Sequence, residues 1–283
     1  MSDAVNPPTV PSPQETSTMR APTQTLTLVV ATTPVRTLCP STGKTITRLG
    51  IGLNGTLPWP RIKSDMSFFA RVTTRPPREG TTNAIVMGRK TYLSLPEHLR
   101  PLAKRINVVV SRNATGPVQS MVLADLETQR AKKAAAAASA AATAVQTDVA
   151  KEKKWEPVTD AIVCSGLDSA LDILRKDFEL QGKLGKVFVI GGGEIYTSSL
   201  RLSHEGLQVR VVMTKVKRRN TPEGKEQAFE CDTFFPVDEM TPEQGWREAT
   251  ADEVTDWVGE TVSQDWKEDG DVAIQIVGYE RTL

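Results

Sequence analysis

The chain predicts an α/β fold: a mainly parallel, twisted sheet of about eight strands flanked by helices, with an antiparallel hairpin added at the C-terminal end. Three observations predict it. Short Val/Ile-rich runs at 26–31, 84–87, 106–110, 161–163, 187–190 and 209–213 are continuous rather than alternating, as strands covered on both faces are. Between them, 64–73, 89–95, 167–178 and 194–200 carry helical spacing, and such alternation builds a parallel sheet. Beyond Asp232 the pattern changes: 246–258 and 272–279 flank a turn region containing Gly and Asp, with no long helix expected between them, and read as an antiparallel hairpin on the sheet edge.

Taken in order, the first 22 residues hold five of the 18 prolines and many Ser and Thr, a composition that cannot bury a core and reads as a disordered tail. Arg20 is the only basic residue before position 36, and Asp3 and Glu15 are acidic, which separates this tail from an Arg-rich, acid-poor mitochondrial presequence and favours the cytoplasm. One domain is expected over 23–283, interrupted by insertions at about 33–48 and 125–155. Ser64 is the expected N-cap of the first helix, and Ser165 or Asp168 that of the third. The second insertion includes 131–144, ten Ala in fourteen positions. Ala favours helix, but this stretch offers no large apolar face, so an exposed helix is expected.

Composition removes several function classes. Lys plus Arg number 35 against 34 Asp plus Glu, a net charge of +1 with no long basic block, which argues against nucleic acid as the partner. No stretch approaches the roughly 18 apolar residues of a membrane helix. Cys39, Cys164 and Cys231 are odd in number and widely spaced, so they read as free thiols of a reducing compartment. His98 and His204 are the only histidines, too few for a His-based metal site or catalytic triad. No metal is expected. Without a long apolar surface stripe or heptad run, a monomer is expected.

The chemistry concentrates in four places. The segment Gly50-Ile51-Gly52-Leu53-Asn54-Gly55-Thr56-Leu57-Pro58-Trp59 holds three glycines in six positions, which would let a backbone lie flat against a ligand. After it, Asp65 falls in the first turn of a helix, ionised unless an apolar pocket raises its pKa. Phe69 lies one turn on, where it can stack on a flat ring. Gly191-Gly192-Gly193-Glu194 follows a buried strand and opens a helix, so its amides can hold a pyrophosphate. It is not the Rossmann fingerprint, because Tyr196 stands where the third glycine belongs. Arg89-Lys90-Thr91 and Ser111-Arg112 place cations and hydroxyls at two strand ends, as an extra phosphate would require. Arg105 begins an apolar strand, where a guanidinium can be held partly buried for bidentate contact. On spacing alone, Asp65 also reads as a helix-stabilising charge, Phe69 as core, the glycine run as a plain turn and the cations as solvated loop ends.

Together with Asn83-Ala-Ile-Val-Met-Gly-Arg-Lys-Thr91, Arg105-Ile-Asn-Val-Val-Val-Ser-Arg112, Val187-Phe-Val-Ile-Gly-Gly-Gly-Glu-Ile-Tyr196, Val212-Met-Thr-Lys215 and Asp232-Thr-Phe-Phe-Pro236, in that order, the sequence resembles the dihydrofolate reductases of eukaryotes, in a fungal-like form with insertions. The resemblance spans roughly 26–124 and 155–283. It implies reduction of dihydrofolate to tetrahydrofolate with NADPH, feeding one-carbon metabolism for thymidylate, purine and amino-acid synthesis, and a site open to antifolate inhibitors. By the same resemblance Asp65 holds the pterin, supported by Thr214 and a water near Trp59, with Leu57 beside them. Val29, Val30, Ala31, Phe69, Leu102, Ile190 and Tyr196 wall the substrate, and Arg105 clamps the carboxylate of its glutamate tail. Ala31, Gly50, Ile51, Gly52, Asn54, Gly55 and Thr56 line the cofactor. Arg89, Lys90, Ser111 and Arg112 take its 2′-phosphate side, and Thr91, Gly191, Gly192, Gly193, Glu194 and Ile195 its pyrophosphate side. A cis peptide is implied between Gly191 and Gly192. Because the Asp65 carboxylate addresses a part of the ring away from N5, the proton is expected from a water gated by the 50–59 loop.

Two rival readings stay open on sequence. One is a related NADPH reductase acting on a ribosylated aminopyrimidine in riboflavin synthesis, against which Arg105, Phe69 and Asp65 favour folate. The other is an inactive relative that binds a partner through the Ala-rich arm.

Overall fold

The computed structural model describes residues 24–39, 42–143, 155–202, 207–219 and 228–282. The expected tail, His204 and the far end of the second insertion lie outside them. In chain order the elements are β1 (Gln24–Leu38), β2 (Thr45–Gly52), α1 (Lys63–Thr74), β3 (Thr82–Gly88), α2 (Arg89–Ser94), β4 (Ile106–Val110), α3 (Pro117–Thr143), β5 (Asp160–Cys164), α4 (Leu167–Leu174), β6 (Leu184–Gly191), α5 (Gly193–Arg201), β7 (Leu207–Arg218), β8 (Thr233–Phe234), β9 (Trp246–Ala249), α6 (Ala251–Val258), β10 (Lys267–Asp269) and β11 (Val272–Arg281).

Eight strands form one path, β10-β11-β7-β1-β6-β3-β4-β5, and β2, β8 and β9 attach beside it. From β7 to β5 every neighbour is parallel. β11 runs antiparallel to β7, β9 and β10, so the antiparallel part sits at the C-terminal edge as expected.

The continuous apolar runs are explained by two cores, one on each face. Along β3, Ala84 and Val86 enter one core while Ile85 and Met87 enter the other, and β1 and β4 divide their residues in the same way. The first core is roofed by α4 and α5 through Leu167, Ala170, Leu174, Ile195 and Leu200. The second is roofed by α1, α2, α3 and α6 through Phe68, Val72, Tyr92, Val122, Leu126, Val254 and Trp257.

Four local expectations are corrected. The first strand does not stop at Ala31 but continues to Leu38, and β2 returns along it from Leu38↔Thr45 to Thr33↔Gly50. The segment read as the first insertion, where described, forms a β-ribbon that lengthens the first strand. The region 246–258 is not one hairpin arm. It is β9 followed by α6, which starts at a capping box between Thr250 and Glu253 and ends at Gly259 with φ 70°. Ser64 does not cap α1: the N-cap is Ile62, without a side-chain cap, and Ser64 lies inside the first turn. α4 is likewise preceded by Gly166 rather than capped by Ser165 or Asp168, and from Arg175 to Glu179 its path widens into a π turn. As far as Thr143 the Ala-rich stretch is helical as expected and continues α3, with 131–139 exposed.

Candidate active site

Parallel α/β sheets bind ligands at the carboxyl ends of their strands, where loops and helix N-termini converge. Here that edge can be read from the register. Thr214 of β7 pairs with Ala31 of β1, Met87 of β3 with Gly191 of β6, and Gly88 of β3 with Val110 of β4. Thr214, Ala31, Gly191, Arg89 and Ser111 consequently follow one another along one rim.

α1 leans over this rim with Asp65, Phe68, Phe69, Val72 and Thr73 on one helical face, of which Phe68, Val72 and Thr73 are buried. The Asp65 carboxyl lies deep beneath a partly open residue surface. Burial pushes its pKa above the ordinary carboxylate value, and a hydrogen bond with the Thr214 side chain opposes that rise. Thr214 is itself 4% exposed. Phe69 is partly buried against the α1-side core, as are Val29 and Ile190. Ala31 packs against a third cluster with Trp59, Ile62, Val216, Phe229, Val272 and Ile274, and Trp59 meets Phe229 edge-on at 5.9 Å. Leu57 and Met66 leave apolar side chains open at 48% and 40% exposure.

Val30 is a different case. Strand alternation turns its side chain to the opposite face, into the core with Leu26 and Leu28, so only its backbone reaches the Asp65 side. Tyr196 also belongs to that core, and its hydroxyl donates to the Val29 carbonyl at 2.7 Å, tying α5 to β1 at the rim.

At the far end of α1, Arg105 is only 7% exposed. Its Nε donates to the Ala103 carbonyl and its Nη1 to the Thr73 hydroxyl, both at 2.9 Å. Among the described residues no carboxylate pairs with it within salt-bridge distance, and burial lowers its pKa to about 10. A buried, still protonated guanidinium with donors to spare is a receptor for a carboxylate. Leu102, 9% exposed, precedes it.

Gly191, Gly192 and Gly193 form the bend between β6 and α5. The Gly191–Gly192 peptide is cis, as the resemblance implied, and Gly191 has φ 116°. A Cβ on Gly192 would stand 3.4 Å from the Thr91 hydroxyl, and one on Gly88 would stand 3.2 Å from Ile195. Bare backbone thus faces Thr91 at a helix N-terminus, where the first amides have no partner within the helix. Arg89, Lys90, Arg112 and Glu194 are exposed, while Ser111 is buried with its hydroxyl donating to the Asn113 carbonyl at 3.1 Å.

The 50–59 segment is more ordered than a ligand-draped loop. Gly50, Ile51 and Gly52 belong to β2, and a Cβ on Gly50 would collide with the Cys231 side chain, so that glycine serves strand packing. Asn54 and Gly55 have φ 51° and 77°, the two positive values of a type I′ turn, closed by reciprocal Leu53 and Thr56 backbone bonds of 2.9 and 3.0 Å. The Asp232 carboxylate accepts the Asn54 amide at 2.7 Å, and this bond holds its pKa below the usual range. Thr56 is exposed at this turn.

Two residues escaped the sequence reading. Asn107, fully buried in β4, donates to the carbonyls of Leu102, Arg105 and Asp160 and accepts the Leu102 amide, binding the 102–105 loop together around Arg105. A lone amide inside Ile-Asn-Val-Val-Val was the available signal, because buried polar groups need partners. Asp269, in contrast, reaches α1 from 205 positions away, and nothing local announces it. Among the described residues no group of three or more His, Cys, Asp or Glu side chains gathers as metal ligands would.

The sequence profile of the dihydrofolate reductase family matches residues 45–147. The chain is 31% identical over 188 residues to the dihydrofolate reductase of Bos taurus, an alignment covering 66% of this chain and 73% of that one. It is 29% identical over 224 residues to the Candida albicans dihydrofolate reductase, covering 79% and 86%. Its fold superposes on the Schistosoma mansoni dihydrofolate reductase with a TM-score of 0.53 at 24% identity, covering 91% of this chain and 98% of that one.

Proposed function

The chain belongs to the dihydrofolate reductase family and is an oxidoreductase that reduces dihydrofolate to tetrahydrofolate, and we propose that NADPH is its electron donor and Asp65 its central substrate-binding group. One observation carries the assignment of residues. A buried carboxylate, hydrogen-bonded by Thr214, stands at the same sheet rim as a bare glycine bend and a helix N-terminus.

The rim suits a phosphorylated dinucleotide. The Gly191–Gly193 bend has no side chains to exclude a pyrophosphate, and Thr91 and the first α5 amides face it. Arg89 and Arg112, with Ser111 between the strand ends, supply the charge that would select the 2′-phosphate. When bound there, NADPH supplies the hydride.

The protein's own part is placement and electrostatics. Asp65 offers two acceptor oxygens to the amino group and ring nitrogen of the pterin, and Thr214 fixes their orientation. Phe69, Val29, Ala31 and Ile190 wall the flat ring, and Leu57 closes the open side. Arg105 takes the tail carboxylate at the other end of α1, so one rigid helix spans head and tail. The proton for N5 arrives by water, admitted between the clamped 53–56 turn and Trp59, because Asp65 is committed to the opposite edge of the ring.

No helix among the described residues is long and apolar enough to cross a membrane. We place the enzyme in the cytoplasm as a monomer serving thymidylate, purine and amino-acid synthesis.

The test is product analysis. Purified protein with NADPH and dihydrofolate should yield tetrahydrofolate, with NADH a much poorer donor. Arg89→Ala with Arg112→Ala should narrow that preference. Turnover of a ribosylated aminopyrimidine but not of dihydrofolate would contradict the folate assignment.

A further inference from the structure

We propose that Asp269 is a positioning residue for Asp65: from the C-terminal hairpin it supplies the cap that the N-terminus of α1 lacks, and so fixes the turn from which Asp65 projects. This inference rests on the assignment of Asp65 to the substrate.

An α-helix leaves its first amides without partners, and a Ser, Thr, Asp or Asn at the N-cap normally satisfies one of them. The N-cap of α1 is Ile62, which has no such group. Its place is taken in trans. One oxygen of the Asp269 carboxylate accepts both the Ser64 amide at 2.8 Å and the Ser64 hydroxyl at 2.6 Å. Those bonds hold the Asp269 carboxyl below its ordinary pKa, so it stays charged at neutral pH, and a negative group at a helix N-terminus is favourable.

The origin of the cap matters as much as its strength. Asp269 is the last residue of β10, opposite Val272, before a two-residue turn in which Gly270 has φ 64°. β11 carries on from that turn and pairs with β7, placing Ile276 opposite Thr214. The sheet edge that holds the Asp65 carboxylate through Thr214 therefore also holds the preceding residue through Asp269. Adjacent positions on α1 are fastened at two points to one run of three neighbouring strands, β7-β11-β10. Removing either attachment leaves the helix start free to swing about the other, and Asp65 would then meet its ligand at a poorer angle.

The test is steady-state kinetics at a temperature well below unfolding. Asp269→Ala should raise KM for dihydrofolate and lower kcat, together about tenfold in kcat/KM, while KM for NADPH stays within about twofold. Asp269→Asn, whose side-chain oxygen still accepts from Ser64, should recover most of the loss. Ser64→Ala, which keeps the backbone bond, should shift the same constants by less, and it carries the test if Asp269→Ala does not fold. In the Asp65→Asn background, Asp269→Ala should add little, because its effect runs through Asp65. A variant that melts earlier with unchanged kinetics, or an equal loss in both backgrounds, would overturn the inference alone. Normal turnover by Asp65→Asn itself would overturn the reading of Asp65 and this inference with it.

Discussion

Thr214, on β7, hydrogen-bonds the carboxylate of Asp65, on α1, and this contact joins the second helical layer to the carboxyl rim of the sheet. The two residues lie far apart in sequence, and Thr214 sits opposite Ala31 of β1. The carboxylate is thereby fixed in a place where burial penalises its charge.

That penalty has a thermodynamic sign. Burial raises the folded pKa of Asp65 above the ordinary 3.8, so protonation favours the fold; the contribution is full below the unfolded value and is lost as pH rises through the folded one. At pH 7 the ionised group costs stability. Asp65→Asn, uncharged at every pH and still able to accept from Thr214, should melt a few degrees above the parent at pH 7. The difference should close on acidification below about pH 4. Calorimetry at the two pH values checks this, and a lower melting temperature at pH 7 would refute it.

Arg105 should govern affinity for the substrate tail. Arg105→Gln keeps a donor but removes the charge and the fork, and should raise KM for dihydrofolate by about 10- to 100-fold. KM for NADPH should not change. Folding should survive, because no ion pair with a described residue is broken. Equal changes in both Michaelis constants would show that Arg105 does not hold the substrate tail.

Asn107 should affect both stability and that same tail. Asn107→Ala removes four hydrogen bonds at once and leaves buried carbonyls without donors, a loss of about 2–4 kcal/mol. Denaturant unfolding measures it. A loosened 102–105 loop should also raise KM for dihydrofolate, and unchanged kinetics would separate Asn107 from Arg105.

Gly50 tests the packing of the ribbon against β8. Gly50→Ala brings a methyl group into the Cys231 side chain and should cost about 1–3 kcal/mol, whereas Gly50→Ala with Cys231→Ala should recover much of it. If Gly50→Ala unfolds at the same denaturant concentration as the parent, β2 does not hold the position described.

The sheet was legible because apolar runs buried on both faces write their strands directly into the sequence, and 106–110 matches its strand residue for residue. What was not legible depends on partners remote in sequence. β1 continues past Ala31 because β2 folds back on it, while Thr32 through Leu38 carry no apolar run to announce a strand. Ser64 reads as a cap by type, yet the N-cap position falls two residues earlier, at Ile62, and the helix borrows Asp269. Trp246 to Val258 holds a strand and a helix because Thr250 and Glu253 form a capping box, a signal that the sequence carries in its Thr-x-x-Glu spacing. At the site, the separate motifs were visible, but their meeting was not: only the register sets Thr214 and Gly191 on one rim. Val30 shows the opposite limit, since its place in a motif did not reveal which face it would occupy.

The role proposed for Asp65 is to bind the pterin for reduction by NADPH. Initial rates of NADPH consumption with dihydrofolate, for the parent and for Asp65→Asn, test it most directly. Rapid consumption by the parent is expected, with a rate lowered by at least about 100-fold in the variant and NADPH affinity intact. Normal turnover by Asp65→Asn would contradict it.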